Sequence, residues 1–557
     1  MDESGSTETK LVHRLARRAF LKAALGTGSV ALLAAGAPAA PPSPTPVPAK
    51  PTEAPKLAAV TSSPTVAPAA KVGTETIRIA IGIDPDTLEP VGSTTTTVDN
   101  IVDYMVESLV VLGEDGKPKP TLAESWDISP DGKTYTFKLR QGVTFHDGAA
   151  FDAEAVKLSW DRLLNPQIRM PSRSPMELVE AVTVVNPATV RFQLKNAFPP
   201  FVAAMTATRY GVVSPNHAKG FPTTYNQQPV GTGPYQYKSR TKGAEVVVVR
   251  NEKYWGPKPY YATVQFRIVP EAATRESLIL ANQAELIILP PIADIPKLQQ
   301  NPQIKVLLAP SNRTVFIAID NTRPGPGREV KFRQALNYAV DKEGIIKSIL
   351  FGGAEAMDGV MSPMLFGYCR TGTYAYDPNK AKQMLKDGGW TNVSLKMLHP
   401  TGRYVQDAQV SQAIAGNLRE VGINVETATM DWPTYLATIA VPPEKSTSDI
   451  HMLGWAPSVL DANQAMVQFK KSHWPPSGLA SSHYYNPQVE ELINKADQNV
   501  NEKERAEQYC RAAKIIWNEC PWIFLWVQRF PIVYSAKLKN VGSLAIEKFW
   551  AIYAEPI

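Results

Sequence analysis

Cysteine, histidine and any strong excess of one charge are scarce in this chain. Three cysteines in 557 residues allow one disulfide at most, so the fold has to hold by its core rather than by staples. The seven histidines are mostly isolated; His473 and His483 share a loop-rich stretch without an acidic or thiol partner at ligand spacing, and no metal pattern results. Lysine plus arginine (58) exceeds aspartate plus glutamate (52) by six, and the basic residues form no stripe, so the footprint of a nucleic-acid binder is missing. No apolar run reaches the ~20 residues that a permanent bilayer-spanning helix needs. The chain also lacks the G-x-S-x-G elbow and the H-E-x-x-H motif. Gly132-Lys133-Thr134 ends like a phosphate loop, but Asp127 stands where that loop needs its first glycine, and the tripeptide reads as a hairpin turn. Nothing singles out a catalytic carboxylate pair.

What is present begins with an address. Arg14, Arg17, Arg18 and Lys22 flank Phe20 and Leu21, the apolar stretch 23–37 follows, and Ala37-Pro38-Ala39 offers small residues at peptidase spacing. Residues 1–39 therefore read as a signal peptide, and Arg17-Arg18-Ala19-Phe20-Leu21-Lys22 resembles the twin-arginine export signal, with Ala16 where serine or threonine is commoner. No cysteine lies near the cleavage point, which excludes a lipoprotein. Residues 40–73, rich in alanine, proline, serine and threonine, cannot bury enough surface to offset ordering and are expected to be a disordered tether. The body that follows is soluble in composition (44% hydrophobic, 20% charged), and its length calls for two or three structural units.

Period-two alternation predicts strands at Ile77, Ile79, Ile81, at Tyr135, Phe137, Leu139 and at Val264, Phe266, Ile268, with a continuous apolar strand at 246–249. Beyond about residue 310, helical stripes take over: Phe332 to Val340, Val410 to Val421 capped by Gly422, and Ala506 to Trp517 ended by Pro521, alternating with strands at 394–398 and 424–428. Cys510 lies on the third stripe and reads as a small buried hydrophobe. Ten helical residues on, Cys520 is ~15 Å away, too far for a bridge; Cys369 with either of them stays open.

Several segments in order resemble the family 5 extracellular solute-binding proteins of ABC importers, the dipeptide and oligopeptide receptors and their relatives. They are Leu122-Ala123-Glu124-Ser125-Trp126 with Phe145-His146-Asp147-Gly148, Gly231-Thr232-Gly233-Pro234-Tyr235 with Tyr254-Trp255, Arg333-Gln334-Ala335-Leu336, Tyr376-Asp377-Pro378, Gly402-Arg403-Tyr404, Gly454-Trp455 and Tyr485-Asn486-Pro487. The resemblance implies an α/β fold: a two-lobe clamshell like that of periplasmic binding proteins, class II type, with an extra β-rich subdomain in lobe I. Lobe I would comprise 74–312 plus 527–557 and lobe II 313–526. It implies no enzyme and no cofactor, a small-molecule ligand such as a peptide, a membrane permease as partner, and a monomer in the periplasm or on the outer face of the cytoplasmic membrane.

The resemblance also implies site residues. Trp455 stands where relatives line the cleft with an aromatic ring, followed by Ala456, Pro457 and Ser458. Peptide receptors carry at that last position an aspartate for the ligand's amino group, and the neutral hydroxyl of Ser458 departs from them. Asp461 could reach the same end of the cleft or be a solvated loop carboxylate. Arg403, beside Tyr404, matches the arginine that grips a ligand carboxylate, with a surface ion pair as the other reading. Trp432 is placed at the cleft rim or in the lobe II core. The departure at Ser458 favours the alternative of a non-peptide ligand, such as an oligosaccharide, opine or metal chelate; a secreted hydrolase fits less well.

Overall fold

Ile77, Ile79 and Ile81 are fully buried, as their spacing predicts, and their strand, Thr76–Ile81, is central in a seven-stranded mixed sheet. The order across that sheet is Ile304–Ala309, Phe530–Ser535, Leu286–Ile288, Thr76–Ile81, Thr263–Ile268, Glu245–Arg250 and Tyr235–Thr241. This computed structural model describes residues 73–557 apart from 86, 93–95, 169–172, 174–175 and 221–226; the expected signal peptide at 1–39 and all of the expected tether but Gly73 lie outside the described residues.

A second, six-stranded sheet runs in the order Ala354–Ala356, Trp522–Gln528, Thr314–Ile319, Ile450–Trp455, Ser394–Pro400 and Asn424–Met430. Thr314–Ile319 is buried at every position, which requires cover on both faces. Val315, Ile317 and Ile319 point into one apolar cluster with Phe332, Leu336, Val410, Ile414 and Leu418; Phe316 and Ala318 point into another with Tyr509, Ile516 and Trp522. The predicted helical stripes therefore cover the two faces of one sheet: Val330–Ala339 and Asp407–Glu420 on the first, Glu502–Glu519 on the second. Asp407–Glu420 stops at Gly422, whose φ of 94° only glycine adopts readily.

A third, four-stranded antiparallel sheet joins Ala123–Ile128, Thr134–Leu139, Thr189–Leu194 and Val179–Asn186. Gly132, at φ 67°, turns its first hairpin, so Gly132-Lys133-Thr134 is the turn read from the sequence. Tyr135, Phe137 and Leu139 pack inward with Trp160, Phe192 and Phe201. This is the extra β-rich part of the two-lobe α/β architecture. The chain passes between the two large sheets twice, through 310–313 and through Arg529. The second sheet keeps Val527 and Gln528, so the second passage falls two residues later than the expected boundary at 527.

Inside the second sheet, burial holds His451 well below the usual imidazole value, at about 4. Its Nε2 faces the Ser481 hydroxyl at 2.7 Å and its Nδ1 has no partner among the described residues. The unfolded chain takes up this proton near pH 6.5, and the folded chain resists it until about pH 4, so stability falls with pH across that window. His451→Gln keeps a group for Ser481 and removes the titration. Its urea midpoint should drop less than the wild type's between pH 7 and pH 4.5; equal drops would contradict this assignment.

Candidate functional site

The first passage between the sheets is held by charge. Ser311, Asn312 and Arg313 are buried. Arg313 donates through Nε to Oε1 of Glu547 at 2.7 Å and through Nη2 to Oε2 at 2.5 Å, and Ser311 Oγ lies 3.3 Å from Oε1. Both side chains are less than a tenth exposed, so the fork is a desolvated, bidentate pair. Burial alone would push the Glu547 carboxyl up; Arg313 beside it, with Arg403 and Ser311, outweighs that and holds it below its ordinary value. Asn312 extends the link both ways. Its N–H donates to the Ala545 carbonyl at 2.7 Å, and its Nδ2 to the Pro457 carbonyl at 2.5 Å.

Arg403 lies on the loop 401–406 between Ser394–Pro400 and Asp407–Glu420. Asp407 shapes that loop, its carboxylate accepting the N–H groups of Gly402, Arg403 and Tyr404 at 3.2, 2.8 and 3.2 Å. A carboxylate in the first helical turn also suits the helix dipole. The Arg403 guanidinium then lies 5.1 Å from the Tyr404 ring and 5.0 Å from the Trp432 ring, within cation–π range of both. No described residue accepts a hydrogen bond from it. Burial, with repulsion from Arg313, holds this guanidinium below its ordinary value. Tyr404 is itself fixed, its hydroxyl accepting the Gly454 N–H at 2.8 Å.

Arg403, Tyr404 and Trp432 are thus brought together. Trp432 bridges the clusters on the two faces of the second sheet while leaving a ring face to Arg403. Trp455 is half-buried, and its Nε1 donates to the Gln464 carbonyl at 2.6 Å. Ala456 is half-buried and Pro457 buried. Ser458 is tied to Gln464, whose Oε1 accepts from its N–H at 2.8 Å and its hydroxyl at 2.9 Å. Val459 packs into the core of the four-stranded sheet. The segment 455–461 therefore reaches from the second sheet to the body on the other side of the passage.

Asp461 is engaged within the chain. It is neither a free ligand carboxylate nor a solvated one: Arg505 binds it through Nη1 at 2.8 Å and Nη2 at 2.5 Å, and it caps Ala462–Met466 through the Asn463 N–H at 2.9 Å. A buried carboxylate needs such a partner, and Arg505, 44 residues away, could not be inferred from local spacing. Arg313 and Glu547, 234 residues apart, were missed for the same reason.

A cavity of about 320 Å³ begins one residue beyond Glu547 and is lined in part by Glu107, Thr206, Thr208, Tyr254, Lys548 and Trp550. Glu107 accepts from the Tyr254 hydroxyl, Trp255 Nε1 and the Thr232 hydroxyl at 2.8, 2.9 and 2.8 Å, which makes Tyr254 and Trp255 packing partners. Lys548 pairs with Asp103 and touches Thr208 Oγ1 at 3.1 Å, and burial pushes it down to about 8. None of the ligand-site residues expected from the sequence, Arg403, Tyr404, Trp432, the segment from Trp455 to Ser458 and Asp461, lines this cavity. Among the described residues, no group of three or more histidine, cysteine, aspartate and glutamate side chains could hold a metal ion.

Two bodies joined by two passages, with a stacked arginine lacking an acceptor beside the first, define a solute-binding receptor. The family described as bacterial extracellular solute-binding proteins, family 5 Middle, matches residues 117–475, and this chain belongs to it. It is 29% identical over 486 residues to the glutathione-binding protein GsiB of Salmonella paratyphi A, covering 86% of this chain and 94% of that protein. It is 30% identical over 463 residues to GsiB of Pectobacterium atrosepticum, covering 83% and 90%. The crystal structure of a dipeptide-binding protein from a Pseudoalteromonas species in complex with Met-Leu superposes with a TM-score of 0.77 at 24% identity, covering 87% of this chain and 100% of that one, which shows the fold.

Gly454 tests how tightly Tyr404 is set. A Cβ there would lie 2.6 Å from Tyr404 Cε1, and the buried, bonded ring has little room to move. Gly454→Ala should cost ~1–3 kcal/mol through overpacking, read as a lower thermal midpoint, and should displace the ring on which Arg403 stacks. An unchanged midpoint would show that the ring gives way freely.

Proposed function

We propose that this chain is an exported receptor that captures a small organic solute bearing a carboxylate, a peptide or peptide-like molecule, and delivers it as a monomer to the membrane permease of an ABC importer. The lobes are the bodies built on the two large sheets, exchanging chain at 310–313 and at Arg529, and the ligand lies between them against Arg403, Tyr404, Trp432 and the segment from Trp455 to Ser458. The observation that carries this reading is Arg403. A guanidinium held on two rings with no bonded anion is a planar fork for an incoming carboxylate. Glutathione and Met-Leu, named for the relatives, both carry that group. Ligand bound to both lobes favours the closed form, the form the permease reads.

A second reading, a non-peptide acid such as an opine or a metal chelate, is favoured by one observation. Ser458 is neutral and tied to Gln464, and the nearby Asp461 belongs to Arg505, so the loop carries no free carboxylate for an ammonium. In either case the chain binds without turnover, and it takes neither cofactor nor nucleic acid. Export by the twin-arginine route is supported by Arg17-Arg18, and export in general by a disulfide suited to an oxidising compartment. No helix among the described residues is long and apolar enough to cross a membrane.

Unfolding the purified protein and identifying the released small molecule by mass spectrometry should yield an organic acid. Arg403→Ala should then weaken binding of that acid by ~10- to 100-fold in calorimetry, the range for losing a charge-assisted hydrogen bond. Unchanged affinity, or a released solute with no acidic group, would overturn the anchor.

A further inference from the structure

The three cysteines divide into a pair and a single. Cys369 and Cys510 are joined across 141 residues, and Cys520 is free and buried. This replaces the reading of Cys510 as a simple buried hydrophobe. Cys369 lies within 357–377, a stretch with neither helix nor strand. Phe366 on that stretch forms a parallel bridge with Asp461: its N–H donates to the Leu460 carbonyl at 3.0 Å, and its carbonyl accepts the Ala462 N–H at 2.9 Å.

Helix Glu502–Glu519 fastens both partners of this bridge within six residues. Arg505 holds Asp461 by two hydrogen bonds, and its guanidinium lies 4.7 Å over the Phe366 ring. Tyr509 packs against Gly367, where an added Cβ would come within 2.8 Å of its ring. Cys510, next in line, carries the covalent link to Cys369. The 357–377 strap is thus pinned to the helix by the disulfide, by packing at Phe366 and Gly367, and farther along by the Tyr374 hydroxyl, which donates to the Trp517 carbonyl at 3.0 Å. The strap in turn pairs with the end of the segment that carries Trp455 to Ser458.

We propose that the Cys369–Cys510 disulfide is a redox-dependent brace for the ligand-binding loop, closing the strap on the helix so that 455–461 is held ready to capture solute. The proposal rests on the reading of 455–461 as a wall of the binding site. Both bonded cysteines are half-buried, within reach of a small dithiol. One thiolate of the dithiol attacks a protein sulfur to form a mixed disulfide, and its second thiolate resolves it. Cys369 and Cys510 gain two electrons and two protons as thiols, and the dithiol is oxidised to a cyclic disulfide. Cys520 takes no part: burial pushes its thiol up to about 12, and it lies against the Tyr374 hydroxyl and the Trp517 carbonyl at 3.0 and 3.2 Å.

Amide hydrogen exchange on the full chain, with and without dithiothreitol, tests this without any ligand. Thiol titration after unfolding should rise from one group to three. Exchange at Phe366, Ala462 and Asn463 should accelerate by ~10-fold or more as the brace opens locally, while Thr314–Ile319 keeps its protection. A Cys369→Ser, Cys510→Ser variant should show the same pattern with no reductant. Acceleration confined to 367–372, or no change, would overturn the proposal; loss of protection throughout the second sheet would make the disulfide a general staple and overturn it too. A released solute with no acidic group would sink the proposed anchor at Arg403 and leave this exchange pattern as it is.

Discussion

Arg313 and Glu547 carry opposite charges in a place almost without water, and that constraint organises the passage between the sheets. Removing one partner of such a pair typically costs ~3–5 kcal/mol, because the other charge stays buried and uncompensated. The pair binds the start of strand Thr314–Ile319 to the C-terminal segment, while Asn312 between them reaches the Pro457 carbonyl. The passage, the tail and the loop beside the candidate site are therefore one hydrogen-bonded unit. A shift in any of them is felt by the other two.

Against that neutralised pair, Arg403 stands out as a cation with no bonded anion. Asp407 fixes its backbone, and the Tyr404 and Trp432 rings hold its guanidinium, an arrangement that orders the side chain before any ligand arrives and so lowers the entropy lost on binding. The neighbouring carboxylates are engaged elsewhere: Glu547 by Arg313, and Asp407 by the N–H groups of Gly402, Arg403, Tyr404 and Ala408. On the proposed reading, the carboxylate of a ligand would meet the Arg403 guanidinium. Such a ligand shifts an open–closed equilibrium only by the contacts it makes in one state and not in the other, and an anion meeting Arg403 from the opposite lobe is a contact of that kind.

The elements were largely legible in the sequence, because hydrophobic period is a local property. Ile77, Ile79 and Ile81 gave a strand, and the stripes at 332–340, 410–421 and 506–517 gave helices on the correct faces. The ordered family segments gave the architecture and named Arg403, Tyr404 and Trp432 singly, but only the structure stacks the Arg403 guanidinium on the other two. Choice of partner was not legible. Asp461 looks free from its neighbours in sequence, yet Arg505 claims it from a helix whose outward-looking arginine gave no local sign of burial. Cys510 sat on an apolar stripe, which says that it is covered but not that Cys369 covers it. Glu547 lies in a tail with no pattern at all, and only the fold brings it to Arg313.

Capture on the proposed reading requires two bodies to move together over one molecule of solute. Small-angle scattering tests it most directly, with the protein stripped of any bound molecule and then given back the acid it released. The radius of gyration should fall on addition and stay unchanged for Arg403→Ala at the same concentration. A radius that does not move for the wild type, at a concentration where calorimetry shows the acid bound, would contradict capture by closure.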